Sequence, residues 1–454
     1  MLTRLTLCAT AALMLLASSG CRNETGHAAQ GPDETAFAVP DLKDRPAGLG
    51  DAEFAKVRDM YIQLKGRIVS KNRDVEACTR MAQLFMNEAR ITGRHHDYIP
   101  GANALLDEAL RRSPNDFEAL VTKGSLLMTQ HQFKPANDIA LRAVAGNPYS
   151  ALSYGVLCDS YVELGNYDAA VKACDAMMKI RPDLRSYARV SYIRELHGDR
   201  DGAIAAMKVA GESGAYGQED REWCMYNLGN LFLNAGKPDT AAYIFNGILQ
   251  ERPNYPYALS GLAAVKNVKG DYTGAIELLV QALQISPEHL FSEQLSDVYL
   301  AMGQGDNVKT LEEKVLEAFR LHEKGGWNVD REYAQYCGNH GIQLQEALER
   351  ARREYDRRPD NIDAETTYAW LLFKNGRAAE AVPYIERALR LGTINPLLHY
   401  YAGSIYMGAG NRTKGASELK LALRQNPWLA PVARTSARRQ LAERQAAHAG
   451  SNRM

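Results

Sequence analysis

From about residue 51 onward, apolar residues recur at spacings of three and four, and strand-like alternation never persists. That spacing places one apolar stripe along each helix and predicts an all-α chain. The pattern is punctuated at a fixed interval: Pro114, Pro148 and Pro182 stand 34 residues apart, Pro253 and Pro287 do so again, and Pro359 and Pro427 are separated by twice 34. Proline has no N–H to donate and its ring collides with the preceding helical turn. The sequence therefore predicts helix pairs repeated every 34 residues. Aligned on the prolines, nine pairs begin near residues 117, 151, 184, 222, 256, 290, 328, 362 and 396.

Other positions fall into the same register. Position 20 of each pair is small in eight of nine, Ala136, Ala170 and Ala203 among them, and position 8 is small in seven, including Gly124, Cys158 and Ser191. Glycine closes the first helix at Gly165, Gly198, Gly236, Gly270, Gly376 and Gly410, where a turn with positive φ is needed. The run EWCMYNLGNLFLNAGKPDTAAYIFNGILQERP, ending at Pro253, carries Leu228, Gly229, Phe232, Ala241, Phe245 and Pro253 in one frame. With its 34-residue period it resembles the tetratricopeptide repeat. The resemblance covers roughly residues 80 to 430 and extends to a broad group of poorly characterised bacterial proteins of this type. It implies an α-solenoid wound as a right-handed superhelix, with positions 8 and 20 at the closest approach of the two helices and the first helix of each pair on the concave face.

The period breaks twice. Residues 211 to 220 replace a proline with a longer turn, and residues 306 to 324 read as one long helix in the sixth repeat. There Asp297 and Lys309 occupy the small positions, which predicts a splayed or rotated pair and marks it as the hinge. Ahead of the array, residues 52 to 70 read as an amphipathic helix, and residues 75 to 112 as a degenerate repeat whose turn carries the insertion TGRHHDYIPGAN. Residues 430 to 454 form a polar, basic capping helix and tail, as a solenoid end requires. The expected division is residues 1–20, 21–50, 51–116, 117–429 and 430–454, with the body a single elongated solenoid in which each repeat packs only on its neighbours.

The first twenty residues combine Arg4 with an apolar stretch from Leu5 to Ala17 and the small run Ala17-Ser18-Ser19-Gly20, the pattern of a secretory signal peptide. Small residues running into Cys21 resemble the lipobox of bacterial lipoproteins, which implies a lipidated Cys21 at the start of the mature chain; Ser18 departs from the usual Leu, so cleavage after Ser19 with release is the alternative. Residues 22 to 50, with almost no large apolar side chain, read as a flexible tether. The expected location is the bacterial cell envelope outside the cytoplasm. The resemblance to lipoproteins further implies attachment to the outer membrane, since Arg22 stands after the cysteine where the family's inner-membrane retention signal has Asp; a free periplasmic form is the alternative.

With 54 basic against 54 acidic residues, the chain lacks the charge imbalance that would point to nucleic acid. Seven cysteines are too sparse for a disulfide scaffold. Cys158 and Cys174 are read as offset by a helical turn and poorly placed to pair. Neither Cys337 with His340 nor the adjacent loop histidines His95 and His96 supply enough ligands to define a metal site, and no catalytic motif is present. No cofactor or metal is expected, and the chain is read as non-catalytic.

What remains is the concave face. The first helices of the third and fourth repeats present Arg185, Arg189, Tyr192, Trp223, Tyr226, Asn227, Asn230 and Asn234. Arg forks hold carboxylates, Asn amides pair with peptide groups, and aromatic rings cover apolar side chains. Asn227 and Asn230 also suit a purely structural role. Tyr333, Tyr336, Trp370, Tyr400 and Tyr401 are read as a continuation of this wall. The function expected is an envelope scaffold that binds a protein or peptide segment in the groove and holds the membrane through its lipid, helping to assemble or maintain an envelope complex. A carbohydrate-binding solenoid and a metal-handling protein using His95 and His96 are the alternatives.

Overall fold

A computed structural model describes residues 39–70 and 74–451, with side chains up to residue 445. The signal segment, Cys21 and the first part of the tether lie outside the described residues. Among these residues the chain forms twenty-two helices and no strand, the all-α solenoid that the period predicts. The first helices of the pairs are α2 (Val75–Thr92), α4 (Phe117–Thr129), α6 (Ala151–Glu163), α8 (Leu184–Leu196), α10 (Glu219–Asn234), α12 (Pro256–Lys269), α14 (His289–Met302), α16 (Asp330–His340), α18 (Ile362–Lys374) and α20 (Pro396–Gly408). Their partners are α3 (His95–Arg112), α5 (Phe133–Gly146), α7 (Tyr167–Ile180), α9 (Arg200–Glu212), α11 (Pro238–Glu251), α13 (Tyr272–Ile285), α15 (Gly305–Lys324), α17 (Leu344–Arg357), α19 (Ala378–Ala388) and α21 (Arg412–Gln425). Helix α1 (Asp51–Ser70) precedes the array and α22 (Pro431–Ser451) follows it. None of these helices is long and apolar enough to cross a membrane.

Local chemistry sets the helix ends. Asp116, Asp183, Asn361 and Asn395 each accept a hydrogen bond from the first turn of the helix that follows. The six glycines expected at first-helix ends all have φ between 72° and 86°. Small residues do what their positions require: a Cβ on Gly229 or on Gly261 would run into the ring of Phe245, so these two glycines create the slot that the ring fills.

Successive first helices approach one another closely, from α2 with α4 to α20 with α22, whereas successive second helices do not to that extent. The first helices therefore follow the shorter arc and line the inside. One joint departs from this regularity. Helix α16 lacks the close backbone approach to α14 and to α15 that every other neighbouring pair of these kinds has. Side chains span the gap instead: Phe319 meets Tyr333 at 6.0 Å and Tyr336 at 6.3 Å, and Tyr336 Oη donates to Ser296 Oγ at 3.1 Å. Lys309 and Asp297 are exposed, and Val308, Leu311 and Val315 turn inward, so α15 is rotated as its residues predict.

The solenoid is not elongated in the expected way. It winds back on itself, and repeats six apart along the chain touch. Arg358 Nη1 donates to Glu163 O at 3.1 Å, Asn361 Nδ2 to Val162 O at 3.2 Å and Asn426 Nδ2 to Leu233 O at 3.0 Å, and Thr393 Oγ1 donates to Leu196 O. The ring of His131 meets Asn328 O at 3.3 Å. These partners are 193 to 199 residues apart. The last carbonyls of an α-helix have no partner within it; here Glu163 O and Leu196 O find donors on the junctions one superhelical turn later, and Val162 O and Leu233 O, which already accept from Gly165 and Gly236 N–H, take a second donor there. Apolar packing crosses the same seam, because a single cluster joins residues between Val39 and Leu196 to residues between Val315 and Ala437, while Leu184 to Leu311 form a second.

Asn361 and Asn426 do two jobs. Their Oδ1 atoms accept from local backbone N–H groups (Asp363 and Ala364; Trp428), and their Nδ2 atoms donate to the other turn. Aspartate could do only the first. Asn361→Asp is expected to preserve α18, yet to lower stability by ~1–3 kcal/mol, because a carboxylate would then face the Val162 carbonyl without a proton between them. Urea denaturation alongside far-ultraviolet circular dichroism checks this; unchanged stability would show that the seam contributes nothing.

A second correction concerns the tether. Its described part, residues 39–50, packs on the body: Val39 and Leu49 are buried, Tyr61 Oη donates to Pro40 O at 3.0 Å, and Arg45 binds Glu88 through Nε at 2.8 Å and Nη2 at 2.5 Å. Few apolar side chains are needed when a buried arginine and the backbone carry the attachment.

Candidate functional site

Helices α8 and α10 carry the eight side chains expected in the groove, and the structure sorts them by availability. Arg185 and Asn234 are exposed; Arg189, Tyr192, Trp223 and Asn227 are half-buried; Tyr226 and Asn230 are buried. Arg189 is already engaged. Its Nε and Nη2 bind the carboxylate of Asp159 at 2.9 and 2.6 Å, Nε also reaches Gly155 O, and Nη1 donates to Arg185 O at 3.0 Å. Gly155 makes room for this, since a Cβ there would lie 3.1 Å from the guanidinium carbon. Burial works against the charge of Arg189, but the adjoining carboxylate outweighs it and lifts the guanidinium above its ordinary value. The fork expected to hold a partner's carboxylate therefore holds Asp159, leaving Arg185 as the exposed cation of the pair.

The aromatic component is similarly divided. The Trp223 ring packs edge-on against Tyr257 at 5.3 Å and lies 5.6 Å from Tyr226, so one side of the indole is structural while the residue stays half-exposed. Asn227 Nδ2 donates to its own helix at Trp223 O, 2.7 Å. Tyr226 contacts Asn230 and Ser260 through its hydroxyl, and burial raises its phenol. The wall expected farther along is core: Tyr333, Tyr336, Trp370, Tyr400 and Tyr401 are all buried, with Trp370 against Tyr401 at 4.3 Å. Trp370, Tyr400 and Tyr401 cover one another between neighbouring first helices, and Tyr333 and Tyr336 pack on Phe319 of α15.

Two chemistry-bearing features fall elsewhere than expected. His95 and His96 do not lie in an inserted loop: TGRHHDYIPGAN is mostly the start of α3, and only Gly93 and Arg94 turn the chain. His95 is half-buried against the next superhelical turn, with Nε2 2.8 Å from Glu288 Oε1. Cys158 and Cys174 are close enough for their thiols to interact: this contact and burial push Cys158 up, while on Cys174 the contact outweighs burial and draws it down, and both remain free. His340 Nε2 meets Asp297 at 3.2 Å, and Cys337 is buried. Among the described residues, no group of three or more His, Cys, Asp or Glu side chains is arranged to hold a metal ion.

The residues that sequence reasoning missed are those of the seam, Arg358, Asn361, Thr393 and Asn426 foremost. One faint signal was available. Second-turn junctions carry Asn361, Asn395 and Asn426, whereas first-turn helices α4 and α8 are capped by Asp116 and Asp183; the contrast is partial, since Asn147 of the first turn accepts from Tyr149 N–H just as Asn426 does from Trp428. An amide caps and donates, and a carboxylate only caps.

Comparison with known proteins gives one family. The model described as "Tetratricopeptide repeat" matches residues 226–289, 343–396 and 366–430. Among curated proteins, cellulose synthase operon protein C of Pseudomonas fluorescens is 23% identical over 201 residues, covering 42% of this chain and 14% of that protein. Tetratricopeptide repeat protein 33 of Homo sapiens is 26% identical over 137 residues, covering 29% and 52%. The chain thus spans about a seventh and about half of these two relatives. Among solved structures, a thermophilic tetratricopeptide-repeat protein of Thermus thermophilus aligns at 21% identity over 42% of this chain and 98% of that one, with a TM-score of 0.38. YrrB, described as having an unusual peptide-binding site, aligns at 17% over 41% and 94%, with a TM-score of 0.28.

Proposed function

The chain is a tetratricopeptide-repeat protein, and from that premise we propose that it is a non-catalytic scaffold whose α8–α10 inner face binds a protein or peptide segment. The observation that carries the reading is the sorting of side chains there. Arg185 and Asn234 are exposed, and Trp223 and Asn227 keep a partly exposed side chain. A partly exposed aromatic ring with amides and a free cation on the same pair of helices suits a peptide, whose backbone pairs with amides and whose acidic side chains find Arg185. The family's interaction role supports it as well. We further propose that the protein sits outside the cytoplasm, held at the cell envelope by lipid on Cys21, where it assembles or maintains an envelope complex; the leader pattern and the small residues before Cys21 support this part.

A photo-crosslinking amino acid at Asn234, with a control at Tyr243, which is exposed on α11, tests the groove. The expected result is a protein partner captured from Asn234 and not from Tyr243, recovered with the membrane fraction and released when Cys21→Ser blocks lipidation. Equal capture from both faces, or competition by glycan fragments rather than peptides, would overturn the peptide reading.

A further inference from the structure

The loosest joint of the second turn, where α14 and α15 meet α16, is also where the first turn is seated on it by histidines. His96 and His322 face each other with ring centroids 4.7 Å apart; His322 lies 5.1 Å from His289 and 5.4 Å from Trp327. Trp327 also meets His95 at 6.4 Å and His96 at 5.7 Å. Three imidazoles from α3 and α15 thus surround one indole, and His289 of α14 joins them through His322.

Three of the four have one nitrogen engaged and one free. His95 Nε2 pairs with Glu288, His289 Nδ1 with Glu293 at 2.9 Å, and His322 Nδ1 with Ala318 O at 2.8 Å, while His95 Nδ1, His289 Nε2 and His322 Nε2 are buried without a partner. A buried nitrogen with a free lone pair is a site for a cation. Because these side chains are not arranged to hold a metal, the proton is the cation the cluster can take. Each proton added would bring charge into a site already crowded with imidazoles.

We infer that this cluster is a proton-sensitive latch between the two superhelical turns, so that acidification drives α2 and α3 off the seam between repeats six and seven. Joint and latch coincide: the seam that α3 covers is the one where α16 has the least backbone contact with what precedes it.

The charges around the cluster fix the sign. Burial draws His322 down to about 3, and His289, His95 and His96 press the same way against the opposing Ala318 carbonyl. His96, exposed on one side, is lowered by partial burial and by His95 and His289, with Asp97 and Glu288 opposing. Both are therefore neutral in the closed coil at neutral pH and regain values near the ordinary 6.5 when released. The stability they contribute is complete above pH 6.5 and is lost as the pH falls below it. On the other elements, burial lowers His289 but Glu293, Glu288 and Glu332 outweigh it and raise it, so its contribution is already constant below 6.5. Burial pushes Glu288 up, yet His95, His289 and His322 hold it at about 2, which favours opening further below its ordinary 4.5. Tyr257 Oη donates to Glu288 at 3.3 Å and stays protonated throughout. Buried His131, on the turn before α5, is pulled down by burial and by Arg358, Arg331 and His322, and acts in the same direction as His322.

Two protons, on His96 and His322, raise the opening constant up to about a hundredfold per pH unit below about 6.5. Hydrogen–deuterium exchange of the full chain from about pH 7.5 to about 5.0, corrected for intrinsic exchange, tests this on peptides spanning residues 93–101 and 286–291. The expected result is protection that falls at least about tenfold by about pH 5.5 in both segments together, and that falls less steeply, by up to two protons, in H96Q/H322Q. Protection unchanged across the whole range, or the same loss in the double variant, would overturn the latch. If the double variant does not fold, H96Q alone decides: substituting this surface histidine should lower the slope by up to one proton, and an unaltered slope would overturn the proposal.

Discussion

Alanine at Gly165 is expected to destabilise the protein by ~2–5 kcal/mol, whereas alanine at Gly376 costs only ~1–2 kcal/mol. Both glycines end a first helix with nearly the same positive φ, 79° and 77°, so both substitutions carry the left-handed penalty. They differ in what lies beyond. A Cβ on Gly376 meets nothing within 4 Å, while a Cβ on Gly165 would penetrate the backbone of Asp360 and Asn361 in the next superhelical turn. Backbone cannot swing aside as a side chain can, so the turns must separate locally. The difference between the two variants, measured by urea denaturation, isolates the seam from the helix terminus. Equal losses would mean that the turns are not in contact in solution.

The second large effect is expected at Arg358. It is buried and binds Glu354 on its own side of the seam at 2.5 Å and Glu163 on the other at 2.6 Å, above the ring of Phe133. Burial disfavours its charge, but Glu354 and Glu163 outweigh this and raise the guanidinium above its ordinary value. Arg358→Met removes the cation and takes from Glu163 its ion pair across the seam, while Glu354 keeps Arg357 and Asn328; the change is expected to cost ~3–5 kcal/mol. Adding Glu163→Gln should recover part of that loss, because the charge left without its ion pair disappears; a double-mutant cycle measures the recovery. No coupling between the two positions would show that Arg358 serves its own repeat alone.

These two residues also show how the sequence divides into legible and illegible parts. Gly165 was legible as a helix-ending glycine, because that role depends only on the turn it sits in. Its second role depends on Asp360, about six repeats away, and nothing near Gly165 announces it. Arg358 precedes the Pro359 that marked the period, yet its partner Glu163 lies 195 residues upstream. In the groove the same division recurs at shorter range: Arg189 was identified as a candidate, but its fork is filled by Asp159, 30 residues earlier. His95 and His96 were read from composition as a loop, whereas α3 begins at His95 and carries both against a surface that only winding brings near.

What the sequence alone determined is everything set within one repeat and its neighbour: helices from the apolar spacing, their ends from proline and glycine, their close approach from small residues at positions 8 and 20, and the rotated sixth pair from Asp297 and Lys309. These follow from interactions across a few tens of residues, and each repeat states them again. What only the tertiary structure decided is the winding. The angle between neighbouring repeats is the sum of many small packing adjustments, and accumulated over six repeats it determines whether turns pass at a distance or meet. Here they meet, so carbonyls at the ends of α6, α8 and α10 find amide, hydroxyl and guanidinium donors one turn later. A local pattern cannot contain that sum, because each donor's partner is chosen by the pitch of the whole coil.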